Sequence, residues 1–344
     1  MMQEPFVVII ILNWNGFSDT VACLESLRRL TYGNHKTVLV DNNSDNNEGQ
    51  RLAQRFPEVH LIANTKNRGF AGGNNDGIQW ALDRGSDFII NLNNDCMVEP
   101  DWLKNLVRAV VETDADFASS RVMCYPQTEL ICSDADGLLP DGSGFVLRSM
   151  LPWSGNKKPF KIFSACGAAS MYSTACVRKV SITQGQFFDE LYFAYFEDVD
   201  LGFRLHAKNC QGISVPDAVV YHKGQQSSVS NSFFHRFQLE KNRQLNVLLN
   251  FPLWMQPISP LYRIAKDIYH RILGANKKPV STRPAGTETS DHKPAVKKWM
   301  KENASAIKND RKQRKAAGLI CNQAYQAISW NPLTSPLNKK TKQP

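Results

Sequence analysis

Residues 7–12, VVIIIL, form a continuous β-branched apolar run of strand length, and the polar tetrad Asn13–Gly16 ends it. From Ser18 to Leu30 the apolar residues Val21, Leu24 and Leu27 recur at helical spacing, with Ser18 placed to cap them. Thr37–Val40 reads as a second strand, closed at once by Asp41-Asn42-Asn43-Ser44-Asp45. Glu48–Phe56 predicts a helix that stops before Pro57, and Val59–Ile62 a third strand. The glycine-rich stretch Gly69-Phe70-Ala71-Gly72-Gly73 reads as a loop, followed by a helix over Asn75–Arg84. Phe88–Leu92 is a fourth strand, ended by Asn93-Asn94-Asp95. This β-α-β-α-β-α-β order predicts an α/β fold: a mainly parallel, Rossmann-like sheet with helices on both faces. Ligands of such sheets bind outside the carboxyl ends of the strands, so the polar loops are expected to converge on one crevice.

The regular alternation fades after a helix over Trp102–Val111. Residues 124–160 are rich in Pro, Gly, Asp and Ser and read as loops that cover the crevice and select an acceptor. Ile162–Tyr172, with Gly167-Ala168-Ala169 inside it, reads as a central strand approached closely by other backbone. Glu197–Asn209 reads as a helix with acids in its first turn, and Ile213–Val220 as a strand leading to His222. Ser230–Asn250 carries Phe234, Phe237, Leu245 and Leu248 on one helical stripe, with Pro252 just beyond. Residues 275–294 read as a linker, and Pro294–Ala317 as one amphipathic basic helix ended by Gly318, with Val296, Trp299, Met300 and Ile307 on its apolar side. The last fifteen residues read as disordered. The expected organisation is a globular domain over 1–229, helices packing on it over 230–274, and a basic linker, helix and tail over 275–344.

Composition narrows this picture. At 42% hydrophobic residues the chain can build a core, which excludes global disorder. No apolar run approaches the roughly 18 residues that span a bilayer, and Glu4 with no basic leader argues against a signal peptide. A cytoplasmic protein is expected. The eight cysteines form no C-x-x-C pair and no zinc-like Cys/His spacing, which fits reduced thiols. The net charge of +9 is unevenly spread: residues 1–260 carry 23 Lys and Arg against 27 Asp and Glu, and residues 261–344 carry 18 against 5. The basic character belongs to the tail and points to an anionic partner, phospholipid or nucleic acid.

Several residues carry candidate chemistry, each with a plainer alternative. A carboxylate at the strand tip Asn93-Asn94-Asp95 can bind Mg²⁺ or Mn²⁺, and the same triplet can serve as a turn. The segment Phe196-Glu197-Asp198-Val199-Asp200 sets acids among aromatic rings, which raises a carboxylate toward general-base duty; its alternative is a solvated helix N-terminus. His222 is either structural or a ligand, and Lys223 beside it would put positive charge near a diphosphate. Asp41 can read a nucleoside base or close an Asx-turn. The Gly69–Gly73 stretch permits close backbone approach to a phosphate or sugar, but it is neither G-x-G-x-x-G nor a P-loop.

Taken in order, the stretches Ile10–Gly16, Val40–Ser44, Asn67–Asn75, Leu92–Asp95, Cys166–Ala169, Phe196–Asp200 and Tyr221–Gly224 resemble family 2 glycosyltransferases and, within them, the bacterial rhamnosyltransferase-like branch. The resemblance runs over residues 5–250. It implies a nucleotide-diphospho-sugar transferase (GT-A) fold and an inverting, metal-dependent transfer with Mg²⁺ or Mn²⁺ as cofactor. By position it implies that Trp14, Asn15 and Asp41 line the nucleoside pocket, with Asn43, Gly69, Gly72, Asn74, Asn94, Gly167 and Lys223 also on the donor side. Asp95 would bind the metal, and His222 would be a second ligand or a diphosphate contact. Asp198 would be the catalytic base, and Trp153, Phe196 and Glu197 would face the acceptor. Asn93 stands where many relatives have Asp, which leaves one carboxylate for the metal, as is common in that branch. The implied donor is dTDP-L-rhamnose, with a UDP- or GDP-sugar as the alternative. The implied acceptor is a lipid-linked or polysaccharide glycan of the cell envelope, such as lipopolysaccharide. The basic tail would then hold the protein peripherally at the inner face of an anionic membrane.

Two other classes fit less well. A nucleic-acid-binding protein would use the tail, but the basic residues are segregated from the core and show no aromatic–basic interleaving. A nucleotidyltransferase would need a glycine-rich basic triphosphate loop near residue 15, where Asn13-Trp14-Asn15-Gly16 carries no base. The sequence carries no signal for an oligomeric state.

Overall fold

The computed structural model describes residues 4–224, 232–272, 291–320 and 328. Residues 275–290 of the linker expected over 275–294, and the tail of the last fifteen residues, lie outside the described residues. The elements run β1 (Val7–Asn13), α1 (Phe17–Leu27), β2 (His35–Asp41), α2 (Glu48–Arg55), β3 (His60–Ala63), α3 (Gly69–Asp83), β4 (Phe88–Asn93), β5 (Cys96–Val98), α4 (Trp102–Thr113) and β6 (Phe117–Cys124). They continue with β7 (Ile131–Ser133), β8 (Asp136–Leu138), β9 (Gly144–Val146), β10 (Phe160–Lys161), β11 (Ala169–Ser173), α5 (Thr174–Val180), α6 (Glu197–Ala207) and β12 (Gly212–His222). Four more helices follow: α7 (Phe233–Asn250), α8 (Ile258–Ile272), α9 (Lys293–Glu302) and α10 (Ala304–Ala316).

The main sheet has the order β10-β12-β6-β11-β4-β1-β2-β3. Its first half, β4-β1-β2-β3, is parallel throughout, as the alternation of strands and helices predicts. β11 enters antiparallel between β4 and β6, and β12 returns parallel to β6, so the complete sheet is mixed. Val7, Ile9 and Ile11 face one layer of core with Leu24, Leu27 and Trp102; Val8 and Ile10 face the other with Ile78, Phe187 and Leu201. A strand buried on both faces must be apolar at every position, which is why β1 reads as a continuous run.

Three expectations change. The glycine stretch is the first turn of α3, not a loop. Gly69 starts it at φ +69°, and the Cβ positions of Gly69, Gly73 and Gly77 would run into Phe193, Leu12 and Ile10. These glycines let a helix lie directly on β1 and on the 189–196 segment. The strand expected over Ile162–Tyr172 is shortened to β11, because residues 162–168 turn across the strand tips instead. The single basic helix expected over Pro294–Ala317 is two helices, α9 and α10, joined at Asn303, and both pack on α7.

Candidate active site

At the tips of β1 and β2 three polar loops meet. Asn13 is fully buried; its Nδ2 donates to Asp41 Oδ1 at 3.0 Å and its Oδ1 accepts from the Thr20 hydroxyl at 2.7 Å. Asp41 Oδ2 accepts the Ser44 N–H at 3.2 Å, so the Asx-turn does form. The Asn15 side chain accepts the Asp45 N–H at 2.7 Å, and the Asn15 N–H donates to Ser44 Oγ at 3.0 Å. Asn15 and Asn43 hold left-handed backbone, which Asn tolerates better than most residues. Trp14 projects from this rim 43% exposed, a flat ring on which a nucleobase can stack. Asn94 Nδ2 donates to the Thr20 hydroxyl at 3.0 Å, which ties the tip of β4 to the same rim.

One residue after Asn94, the Asp95 carboxylate lies 3.1 Å from His222 Nε2. β5 pairs antiparallel with the end of β12, His222 opposite Cys96, and that register brings the two together. His222 Nδ1 faces Cys132 Sγ at 3.7 Å. Burial works to lower the imidazole, but hydrogen bonds to Asp95 and Cys132 outweigh it and raise it to about 10. Among the described residues Asp95, Cys96 and His222 form a cluster with metal-ligand spacing. The Cys96 thiol is buried, held well above its usual range, and donates to Ala168 O at 3.6 Å. That leaves one carboxylate and one imidazole, a hard donor set suited to Mg²⁺ or Mn²⁺. A divalent cation there would take the place of the proton now favoured on His222.

The second acidic centre is anchored to the same short segment. Asn93 N–H donates to Ala168 O at 2.9 Å, and Gly167 N–H donates to Asp198 Oδ2 at 3.2 Å. Gly167 therefore supports the Asp198 carboxylate; a Cβ at 167 would press on that oxygen. Asp198 also accepts the Val199 N–H at 2.8 Å, at the N-terminus of α6. Asn93, two residues before Asp95, and the Asp198 carboxylate are thus both bonded to the short 167–168 segment.

Asp136, on β8, was not singled out in the sequence. Its backbone N–H donates to Ser164 O, and the Ser164 hydroxyl donates to Asp198 O at 2.6 Å. Its carboxyl lies against that of Asp198, and its buried Oδ2 meets no donor from the rest of the protein. Two carboxyl groups can bond only through a proton. Burial, then the Asp198 charge, pushes Asp136 well above the carboxylate range, which favours the shared proton on Asp136. Burial also raises Asp198, but the bonds from Asp136, Val199 and Gly167 oppose the shift. Glu197 is buried and pushed up by burial and by Asp198.

The remaining expected residues sort clearly. Asn74 is turned inward: its amide spans Phe70 O and Asn91 Nδ2, buried under the sheet. Gly72 lies against Arg68 and Glu190. Lys223 reaches Asp95 through its backbone, but its ammonium is paired with Asp19 at 2.5 Å. Trp153 is stacked under Arg121, 3.6 Å from the ring centroid. Phe196 caps α6 at φ +63° and packs against Val199 and Phe203. An open groove of about 620 Å³ runs beside the crevice, lined by Asn64–Arg68, Glu190 and Phe193, and none of Asp95, Asp198 or His222 lines it.

The acids next to Asp198 are held by a buried cluster. Arg314 of α10 is fully buried; it pairs with Asp189 and Asp200, with Asp310 on its own helix, and donates to Asn250 Oδ1 at 2.8 Å. Arg204 binds Asp200 Oδ2 at 3.0 Å. Burial would raise Asp200, yet Arg314 and Arg204 outweigh it and bring it to about 2.

A parallel half-sheet whose strands end in a polar rim, extended by mixed strands and covered by helices on both faces, is the GT-A fold of nucleotide-diphospho-sugar transferases. The chain belongs to glycosyl transferase family 2, whose family model matches residues 8–180. It is similar to the N-acetylglucosaminyl-diphospho-decaprenol L-rhamnosyltransferase of Mycobacterium tuberculosis, 28% identical over an alignment of 214 residues that covers 58% of this chain and 70% of that protein. It is also similar to the low-salt glycan biosynthesis hexosyltransferase Agl10 of Haloferax volcanii, 25% identical over 206 residues, 58% of this chain and 62% of that one. Among solved structures, GalNAc-T7 with UDP, GalNAc and Mn²⁺ shares the fold at a TM-score of 0.63 and 12% identity. That match covers 95% of this chain, which spans 56% of GalNAc-T7. The protein is a glycosyltransferase.

Proposed function

We propose that the protein is an inverting, divalent-cation-dependent transferase that moves L-rhamnose from dTDP-rhamnose to a hydroxyl of a lipid-linked or polysaccharide acceptor in cell-envelope glycan synthesis. The observation that carries this reading is that the strand tip bearing Asp95 bonds to Ala168 through Asn93, the Asp198 carboxylate bonds to Gly167, and Asn94 ties the same tip to the Asn13–Asp41 rim through Thr20. The mycobacterial relative, by its name, transfers L-rhamnose to a decaprenol-linked acceptor, which supports the choice of donor and acceptor class.

Trp14, Asn15 and Asp41 would hold the nucleoside, and Asp95 with His222 would hold the cation. When bound, the cation supplies positive charge against the diphosphate. Asp198 accepts the proton of the acceptor hydroxyl as that oxygen attacks the anomeric carbon. One carbon–oxygen bond forms, the bond to the diphosphate breaks on the opposite face, and the single displacement inverts the centre. Asp136 keeps Asp198 ionised for this task by donating to it. An acceptor carried on a polyprenyl lipid would place the enzyme against a membrane surface on the cytoplasmic side.

A panel of dTDP-, UDP- and GDP-sugars, with and without Mg²⁺ or Mn²⁺, tests the reading through thermal stabilisation and transfer. A true donor at 100 times its dissociation constant adds about 2.7 kcal/mol of stability. The expected result is the largest effect from dTDP-rhamnose with a divalent cation, lost on chelation. Stabilisation by another sugar nucleotide would change the donor, and indifference to chelation would remove the metal.

A further inference from the structure

We propose that the outward face of α8, with the 253–254 corner before it, is the surface by which the protein sits on an anionic lipid bilayer. This rests on the membrane-linked acceptor of the reading above. Among the described residues, five of the eleven exposed large hydrophobic side chains fall within residues 253–268: Leu253 at 73%, Trp254 at 60%, Leu261 at 65%, Ile264 at 57% and Ile268 at 49%. Leu261, Ile264 and Ile268 follow at i, i+3 and i+7, which puts them on one stripe of the helix. The stripe is held outward by the opposite face. Ile258 packs on the Phe251 and Met255 cluster, Ser259 Oγ donates to Asp141 O at 3.2 Å, and Arg263 pairs with Glu240 at 3.1 Å. An apolar stripe fixed in solvent marks an interaction surface.

Charge and position select the occupant. Asp267 is the one acid in α8, and the sequence just after it carries Arg271, Lys277 and Lys278 with no acid. α9 and α10 turn Lys297, Lys298, Lys301 and Lys308 to solvent. Exposed apolar side chains on a helix of a C-terminal region whose exposed charges are mostly lysines fit an anionic headgroup layer with its acyl boundary better than a protein partner. The tail helices have no apolar face left to insert: Val296 and Ile307 are buried, the latter against Leu245 and Leu249 of α7. Ile258 also shares one packed cluster with Leu138, Val199 and Phe196, the neighbours of Asp198 and Asp136.

Sedimentation of the full-length protein with vesicles tests this, using phosphatidylcholine alone or mixed with phosphatidylglycerol. The protein is expected to bind the mixed vesicles, and the triple variant Leu261→Gln, Ile264→Gln, Ile268→Gln to partition roughly 10-fold or more weakly, with an unchanged melting temperature. A triple variant that binds like the wild type overturns the α8 surface while leaving a membrane site elsewhere. Wild-type protein that ignores both vesicle types removes the membrane reading itself. Equal binding to the neutral vesicles overturns the anionic requirement. A dimer that dissociates in the triple variant, with no vesicle binding, assigns the stripe to a second copy of the chain instead.

Discussion

Glu197, Asp198 and Asp200 lie within four residues, yet their surroundings give them three different roles. Asp200 is an ion-pair partner held at about 2 against its burial, Glu197 is pushed well up by burial and by Asp198, and Asp198 sits between them. The aromatic-flanked acids are visible in the sequence; their division is not, because it depends on Asp136, Gly167 and Arg314 from distant segments. Asp136 in particular looks like one more polar residue in a loop-like stretch. Its hydrogen bond favours the ionised form of Asp198, so losing that bond raises Asp198. The variant Asp136→Ala is therefore expected to move the acid limb of the kcat–pH profile to higher pH. Asp136→Asn, which keeps a donor, is expected to leave the limb in place. A limb unmoved in the Ala variant would separate Asp136 from the base.

At the scale of elements, the parallel half-sheet and its Asn- and Asp-rich strand tips are legible from residue 7 to residue 95, because short buried strands and long amphipathic helices announce themselves by period. α3 is the exception. A glycine run signals a loop, and only the packed partners Phe193, Leu12 and Ile10 reveal why a helix begins there. Helix α10 was legible as a basic helix but not in its position. Arg314 is 114 residues from Asp200, and no local pattern separates it from the lysines around it. Its burial turns part of the basic tail into a clamp on the 189–200 segment. Arg314→Met is expected to cost about 3–5 kcal/mol, since Asp189 and Asp200 lose a buried counter-charge. Denaturant unfolding would read this as a lower midpoint, and a change below about 1 kcal/mol would show that the cluster contributes little.

For the whole molecule, the 167–168 segment ties the strand tip before Asp95 to the Asp198 carboxylate, and the C-terminal helices brace the 189–200 segment. Lysines of α9 and α10 and the apolar stripe of α8 face solvent, while Asn250 of α7 and Arg314 of α10 hold Asp200 in place. No helix among the described residues is long and apolar enough to cross a membrane. Turnover of the Asp198→Asn variant tests the catalytic assignment most directly, measured beside its affinity for the sugar nucleotide. Loss of a general base predicts a kcat lower by roughly 10² to 10⁴ with donor binding retained. Near-normal turnover would contradict it.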